Sequence, residues 1–338
     1  MRNLFLLCAC CIAIFAASAA EFASSGLKAS NSGDYQKAIA DFTEALKLNP
    51  NFRAVYYRRA LAYNEVRDYK KAIADFTEVI KLDSNDTDAY YYRAQAYYNL
   101  GDHHRAINDY TQALKLNPNH ISAYYNRGFI YEYSFYDHSK ALADFSATIK
   151  LNPQGAQLYY ARGDVYSRMR EYGRAIPDLT QALKLNPDHL NAYDKRGSAY
   201  DFLGEYKDAI ADFTKMIDIS PNAARAYRSR AMAYAHLGEY AEAIADFDQT
   251  LKLDPIDLDA YYYRANAHLT LKDYDKAIAD YSELIKNNPN FAYAYNNRAK
   301  SYIKLNDLAN ATIDAKKACE LGECEALTDM RNKKLLAE

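Results

Sequence analysis

Two columns of charged residues recur along this sequence, and they are its most regular candidates for chemistry. The acidic column recurs about every 34 residues and consists of Asp41, Asp75, Asp109, Asp144, Asp178, Asp212, Asp246, Asp280 and Asp314. The basic column has the same spacing and consists of Arg59, Arg93, Arg127, Arg162, Arg196, Arg230, Arg264 and Arg298. Such columns could line a track for a charged ligand. They lie, however, within the apolar frame of predicted helices, where charges need partners. We therefore favour a ladder of partly buried ion pairs.

The spacing suggests which charges pair. From Asp41–Arg59 to Asp280–Arg298, each aspartate precedes an arginine by eighteen residues without exception. The separation from an arginine to the next aspartate is less regular, because one extra residue lies before Asp144. We therefore predict that each aspartate pairs with the arginine eighteen residues later. Ser25 stands where the first arginine would be, as expected if no aspartate precedes it.

We find no motif for catalysis, metal binding or cofactor binding. The chain contains no Gly-rich phosphate loop, no HExxH and no Gly-x-Ser-x-Gly motif. His103 and His104 lie together at a predicted turn and are not expected to bind a metal. The residues that break the regular pattern are scattered. We therefore expect no enzyme active site, no cofactor and no small-molecule substrate.

Five cysteines divide into two groups. Cys8, Cys10 and Cys11 lie in the N-terminal apolar run, whereas Cys319 and Cys324 lie near the other end. In the segment ACELGEC, Gly322 can end a helix and let the chain fold back. We predict a disulfide between Cys319 and Cys324; the alternative is two buried thiols that pack as small apolar groups.

The first twenty residues have the pattern of a secretory signal peptide. A positive start precedes an apolar run from Leu4 to Ala17, and small residues surround Ala19 and Ala20. We predict cleavage near Ala19 or Ala20 and export to a periplasm or to the outside of the cell. A lipoprotein is less favoured, because the cysteines come too early in the run. The run is shorter than the ~20 residues that span a bilayer, so no transmembrane segment is expected after cleavage.

Composition gives no sign of a nucleic-acid partner. The formal net charge is −2 and the isoelectric point is near 6.4, so no basic surface is indicated. The chain has 34 tyrosines and no tryptophan. Half of the residues are hydrophobic, which is ample material for a core.

A period of 34 residues organises the chain beyond the predicted signal peptide. Most of the prolines follow it, namely Pro50, Pro118, Pro153, Pro187, Pro221, Pro255 and Pro289. A small residue, an alanine and a mostly aromatic residue follow the same period, for example Ala60, Ala72 and Phe76. The apolar residues of each block are spaced three or four apart, which predicts two amphipathic helices. The proline ends the second helix, because the residue before proline disfavours the helical region.

This pattern of small residue, Tyr, turn, Ala, Phe and Pro resembles the tetratricopeptide repeat (TPR) family. The resemblance implies an all-α fold, an α-solenoid of about nine helix-turn-helix repeats at 21–324 that forms a right-handed superhelix. The approximate repeats are 21–52, 53–86, 87–120, 121–155, 156–189, 190–223, 224–257, 258–291 and 292–325. A capping helix is predicted at 325–338. Pro177 is expected near the first turn of its helix, where proline costs least.

The resemblance also implies that the first helices line a concave groove for an extended peptide or a helix. One variable column follows the core tyrosine of each first helix. It consists of Tyr57, Tyr91, Tyr125, Tyr160, Asp194, Arg228, Tyr262 and Asn296, and Phe129 lies one turn after Tyr125. We predict that these residues bind the partner and that the aromatic first half dominates. The alternative is that the tyrosines only pack against neighbouring helices.

Together these features predict a non-catalytic scaffold that binds a protein or peptide. The alternative is a substrate-recruiting or adaptor module of a secreted or envelope enzyme system, whose catalytic chain would be separate.

Overall fold

All regular secondary structure is helical in residues 2–335, the part of the chain that the computed structural model describes; side chains are described from residue 17 onward. The helices are α1 (Arg2–Asn31), α2 (Tyr35–Leu48), α3 (Arg53–Glu65), α4 (Tyr69–Leu82), α5 (Thr87–Asn99), α6 (His103–Leu116), α7 (Ile121–Phe135), α8 (His138–Leu151), α9 (Ala156–Arg168), α10 (Tyr172–Leu185), α11 (Leu190–Leu203), α12 (Tyr206–Ile219), α13 (Ala224–Leu237), α14 (Tyr240–Leu253), α15 (Leu258–Thr270), α16 (Tyr274–Asn287), α17 (Ala292–Lys304), α18 (Leu308–Glu320) and α19 (Glu325–Asn332). The chain consists of two compact units, Met1–Val165 (unit 1) and Tyr166–Glu338 (unit 2).

Within each unit, consecutive helices pack as antiparallel pairs, and each pair is one repeat, from α1–α2 to α7–α8 in unit 1 and from α11–α12 to α17–α18 in unit 2. In the second repeat, Ala60 of α3 and Ala72 and Phe76 of α4 are fully buried in one cluster. The small side chains let the two helix backbones approach, and the phenylalanine fills the space beside them. The predicted all-α solenoid of TPR-like helix pairs is thereby confirmed. No helix in the described part is long and apolar enough to cross a membrane.

The turn inside each repeat contains one residue with a left-handed backbone. Glycine occupies this position in four repeats, as Gly33, Gly101, Gly204 and Gly238, and other residues occupy it in five, as Arg67, Tyr136, Arg170, Lys272 and Asn306. The conformation closes the first helix, since the N–H of the residue directly after the left-handed one reaches back to a free carbonyl of that helix. In the second repeat the N–H of Asp68 donates to the carbonyl of Tyr63 at 2.8 Å.

The fourth repeat absorbs its extra residue in this turn. Helix α7 has 15 residues, and Tyr136 follows it with a φ of 54°. The N–H groups of Tyr136 and Asp137 both donate to the carbonyl of Tyr131. The carboxylate of Asp137 then caps α8 by accepting from the N–H of Lys140. The second helix of this repeat therefore starts in the same way as in the third repeat, where Asp102 accepts from the N–H of Arg105.

Pro177 lies deeper in its helix than the sequence suggested. It is the sixth residue of α10, whereas the prediction placed it near the first turn. A proline there lacks the N–H that would donate to the carbonyl of Gly173, and its ring crowds that carbonyl. The other repeats mostly have alanine at this position, such as Ala211 and Ala245.

The C-terminal end is closed by α19. Its residues Ala326, Leu327 and Met330 are buried in a cluster with Ala299 and Ala315 of the ninth repeat. A disulfide joins Cys319 in α18 to Cys324, the residue before α19, and their Cα atoms are 4.1 Å apart. This separation is below the limit of about 7 Å beyond which two cysteines cannot bond. Cys8, Cys10 and Cys11 lie outside the described side chains.

Replacing Pro177 should stabilise the protein. We expect Pro177→Ala to raise the free energy of unfolding by about 2 kcal/mol. Restoring the helical hydrogen bond and relieving the clash contribute about 3 kcal/mol, and the greater freedom of the unfolded chain offsets about 1 kcal/mol of this gain. Thermal unfolding followed by circular dichroism measures the change. The matched reverse substitution, Ala245→Pro in α14, should destabilise by about 3 kcal/mol. An unchanged or lower melting temperature for Pro177→Ala would contradict this account.

Candidate functional site

Seven arginines of the column form ion pairs within their own repeats. Nε and Nη2 of Arg59 donate to the two carboxylate oxygens of Asp75 at 2.7 and 2.8 Å. The same bidentate geometry joins Arg93–Asp109, Arg127–Asp144, Arg196–Asp212, Arg230–Asp246, Arg264–Asp280 and Arg298–Asp314. The predicted pairing between repeats, such as Asp41 with Arg59, is therefore wrong.

The first repeat shows the same internal pairing with a different partner. Oγ of Ser25 donates to Asp41 at 2.7 Å, so the serine takes the position of the missing arginine. The predicted reason for Ser25, that no aspartate precedes it, is wrong as well. Likewise Asp144, which was expected to bind Arg162, binds Arg127 instead.

Each arginine also bonds to the repeat before it. Nη1 of Arg59 donates to Oγ1 of Thr43 at 3.0 Å, and its guanidinium lies 5.7 Å from the ring centroids of both Tyr56 and Tyr63. Corresponding acceptors in the later repeats are Thr77, Thr111, Ser146, Thr180, Thr214, Asp248 and Ser282. This column of acceptors was not predicted, although it follows the aromatic column by one residue at the same period. One side chain thus ties its own two helices together and links them to the preceding repeat.

Burial and hydrogen bonding oppose each other in these pairs. Burial raises the pKa of the Asp75, Asp144 and Asp212 carboxyl groups in spite of their arginine partners. For Arg59, burial favours the neutral form, but the hydrogen-bonded carboxylate of Asp75 raises the net pKa. The arginine therefore remains charged and needs its partner. Since desolvation offsets much of the attraction, the pairs act chiefly by fixing geometry.

The tyrosines of the variable column pack on their own second helices. Ring centroids are 5.8 Å apart for Tyr57–Phe76, 5.8 Å for Tyr91–Tyr110 and 5.7 Å for Tyr125–Phe145. Burial raises the pKa of the Tyr57 and Tyr91 hydroxyl groups. Packing, the alternative interpretation of this column, is thus part of its role. Tyr160 is half-buried in α9.

The exposed edges of the same tyrosines line cavities on the first-helix face of unit 1. The α3–α5 cavity, about 470 Å³, includes Tyr57, Leu61 and Tyr92, with the charged residues Arg58 and Asp88. The α5–α7 cavity, about 390 Å³, is lined by Gln95, Tyr98, Asn99, Tyr110, Tyr125, Asn126 and Phe129. The α7–α9 cavity, about 330 Å³, is lined by Tyr91, Gln95, Ile121, Ser122, Tyr125, Asn126, Gln157 and Leu158. The structure therefore brings Tyr57, Tyr91, Tyr125 and Phe129 of the predicted site to one face.

Carboxamide side chains surround these tyrosine hydroxyl groups. Nε2 of Gln95 and Nδ2 of Asn126 donate to Oη of Tyr91 at 2.9 and 3.3 Å. Nε2 of Gln157 donates to Oη of Tyr125 at 3.3 Å. Gln95 lies one turn after Tyr91 on the predicted groove face, whereas Asn126 and Gln157 were not predicted, since no periodic column of amides marks them in the sequence.

In unit 2, the charged residues of the variable column are already paired with other charged residues of the chain. The carboxylate of Asp194 is buried and accepts from Nη2 of Arg225 at 2.8 Å. Nη1 of Arg228 contacts the carboxylates of Asp257 at 2.9 Å and of Asp259 at 3.3 Å. These charges hold neighbouring first helices together.

Asn296, the last residue of the variable column, was wrongly predicted to line the groove. Asn296 is 2% exposed, and its Oδ1 accepts from the N–H of Ala326 at 2.9 Å. Its side chain thus caps the N-terminus of α19 and is not part of an open groove. Tyr262 packs edge-on against Phe291, with centroids 5.3 Å apart. Phe291 directly precedes α17, so this column residue also meets the start of the next first helix.

No group of three or more His, Cys, Asp or Glu side chains within the described part of the chain is arranged to hold a metal ion. The rings of His103 and His104 lie against Phe135, with centroids 6.4 and 4.8 Å from it.

Comparison with known families agrees with this geometry. Models described as tetratricopeptide repeat match residues 25–52, 54–86, 87–120, 160–224, 195–257, 228–290 and 262–323, well over half of the chain. The chain belongs to the tetratricopeptide repeat family. The TPR fold is generally a non-catalytic module for protein interaction. A comparison with curated protein sequences gave no match.

Solved structures share the TPR fold. The C-terminal part of a TPR repeat-containing protein from Cytophaga hutchinsonii has a TM-score of 0.63 and 20% identity, covering 71% of this chain and 98% of that one. A tetratricopeptide repeat protein from Parabacteroides merdae ATCC 43184 has a TM-score of 0.53 and 20% identity, covering 74% and 98%. YrrB, described as a TPR protein with an unusual peptide-binding site, has a TM-score of 0.52 and 23% identity, covering 56% and 97%. At these identities the likeness concerns the fold alone.

A double-mutant cycle should distinguish the two pairings of the arginine column. We expect Arg93→Ala and Asp109→Ala to couple by about 1–3 kcal/mol, because each removal leaves the other charge buried. Arg93→Ala and Asp75→Ala, the pair eighteen residues apart, should be additive within about 0.5 kcal/mol. Urea unfolding of the whole chain, fitted as coupled repeats, provides the free energies. A larger coupling for the second cycle would restore the pairing between repeats.

Proposed function

We propose that this chain is a non-catalytic scaffold that binds a segment of another protein on the first-helix face of unit 1. The observation that carries the proposal is the row of cavities along α3, α5, α7 and α9, at the positions of the variable column. The other recurring side chains already bond to residues of the same chain, as the arginine–aspartate pairs do. The half-exposed tyrosines combine a fixed ring with a polar edge, which suits them to a binding surface.

The rigidity of this face supports binding. Tyr91 is held by Tyr110, by the ring of His120 at 4.6 Å and by the amides of Gln95 and Asn126. A side chain fixed in this way loses little conformational freedom when a partner covers it. Ordering of the surface therefore reduces the free energy of binding very little.

We also propose that the protein acts outside the cytoplasm after removal of its signal peptide. Two residues of α1 that contact the second helix of the first repeat follow the predicted cleavage site. Ser25 bonds to Asp41, and at Gly26 an added Cβ would meet the Phe42 ring at 2.7 Å. Cleavage near Ala19 or Ala20 would therefore leave the first repeat with these two contacts. A disulfide between Cys319 and Cys324 is consistent with an oxidising compartment.

The processing proposal is tested on the protein as its own cells make it. N-terminal sequencing of the chain from the envelope and secreted fractions should give a start at Ala20 or Glu21. An intact N-terminus on protein found in the cytoplasmic fraction would contradict export. Mass spectrometry under non-reducing conditions should show Cys319 and Cys324 joined.

The binding proposal predicts that two tyrosines of unit 1 are essential for capture. Affinity capture from the same fractions should lose its partner, with affinity reduced about tenfold or more, for the double variant Tyr91→Ala with Tyr125→Ala. The matched control is Tyr35→Ala with Tyr69→Ala, which removes two half-buried tyrosines at the starts of α2 and α4. This control should keep capture. Equal capture by both variants, with helical content unchanged, would overturn the first-helix face as the binding surface.

A further inference from the structure

Two cavities of the first-helix face adjoin each other and share part of their lining. The α5–α7 cavity and the α7–α9 cavity share Gln95, Tyr125 and Asn126, so these three side chains form a common wall. The cavities lie on either side of this wall, and their volumes are about 390 and 330 Å³. A ligand that fills both must therefore be elongated and must cross the wall between them.

The lining of this double cavity carries no charged side chain. Its polar groups are carboxamides and hydroxyl groups, whereas the α3–α5 cavity includes Arg53, Arg58, Asp86 and Asp88. A charged ligand group would lose water in the double cavity without gaining an opposite charge, which is costly. The lining thus favours a ligand without charge at these positions.

The common wall favours an extended backbone over a helical one. Gln95 and Asn126 each present a carboxamide, which has two N–H groups and two lone pairs. Gln95 uses one N–H group on the hydroxyl of Tyr91, and Asn126 bonds to the hydroxyl groups of Tyr91 and Tyr110. The remaining capacity suits a ligand with unpaired N–H and C=O groups. An extended peptide has such groups, whereas a helix pairs them internally. In an extended peptide, side chains two residues apart point to the same face, about 6.6 Å from each other.

We infer that the double cavity takes an uncharged, extended peptide segment, with two large apolar or aromatic side chains two residues apart on either side of the Gln95–Asn126 wall. The backbone between these side chains bonds to the two carboxamides. This inference rests on the function proposed above and adds the chemistry of the partner segment.

The test is a selection of random twelve-residue peptides displayed on phage, with the full-length protein as the target. Peptides enriched on the wild type should lack Asp, Glu, Lys and Arg in a core of three or more residues, and should carry large apolar side chains at alternate positions. Synthetic copies are then measured by fluorescence anisotropy. Gln95→Glu and Asn126→Asp, which change little but the charge, should each weaken binding tenfold or more. A second selection on Asn126→Asp should enrich lysine or arginine in the core.

Matched controls come from exposed residues of α6, in the same repeat as Gln95. Gln112→Glu and Asn108→Asp make the same changes on exposed residues of α6 that line neither cavity, and should leave affinity within twofold. Circular dichroism of all four variants checks the fold.

The possible failures are distinguishable. If the selected peptides carry charged cores, yet lose affinity with Gln95→Glu and Asn126→Asp, the inference about the partner is wrong and the proposed binding face stands. If the selected peptides bind all four variants equally, or if no sequence is enriched, both the inference and the proposed face are overturned.

Discussion

The buried guanidinium of each repeat is the interaction on which the rest of the structure depends. In the third repeat, Arg93 bonds to both oxygens of Asp109 and to Thr77 of the repeat before it. The rings of Tyr90 and Tyr97 lie 5.6 and 6.0 Å from the guanidinium and leave it little other space. A buried charge tolerates few geometries, because every unpaired N–H group costs free energy. The angle between paired helices and the offset between neighbouring repeats are therefore fixed together. The same requirement explains much of the tyrosine content of the chain, since most of these arginines lie between two tyrosine rings.

The sequence was sufficient for the helices and for the burial of the charge columns, but not for their pairing. Arg93 follows Asp75 by eighteen residues and precedes Asp109 by sixteen, and both separations recur along the chain. Regular spacing alone favours pairing at eighteen residues. The separation of sixteen is broken in the fourth repeat, because an extra residue lies between Arg127 and Asp144. The structure shows why that irregularity has no effect on pairing. The turn at Tyr136 absorbs the residue, and Arg127 still reaches Asp144 at 2.8 Å. Periodicity identifies which positions are equivalent, whereas the contact between them depends on how the turns place the helices.

The variable column illustrates a second limit of the sequence. Its residues were predicted as a binding surface because they vary while the core columns do not. Variation at this position also reflects contact with the next first helix, whose first turn differs from repeat to repeat. Tyr91 meets His120, Arg228 meets Asp257, and Asn296 caps α19. In each pair, the column residue suits the residue that it contacts on the neighbouring helix. A single sequence cannot show whether a residue varies to suit a neighbouring helix or to suit a binding partner. The cavities distinguish the two cases, because they show which column residues still expose part of their side chain to a ligand.

The same comparison explains why unit 1 is the better candidate for a partner surface. In unit 2, Asp194 and Arg228 already bond to charges of adjacent helices, so a ligand that used them would have to break those bonds and bury a charge. The double cavity of unit 1 requires no such exchange. Its hydroxyl and carboxamide groups form hydrogen bonds with one another and retain capacity for more, since a carboxamide can make four. Neutral polar groups lose less on desolvation than charges do, so covering them with a ligand costs less. A surface of this kind can gain affinity from apolar contact while its amides orient the ligand, and the repeat architecture holds both in place through buried charges that the ligand never meets.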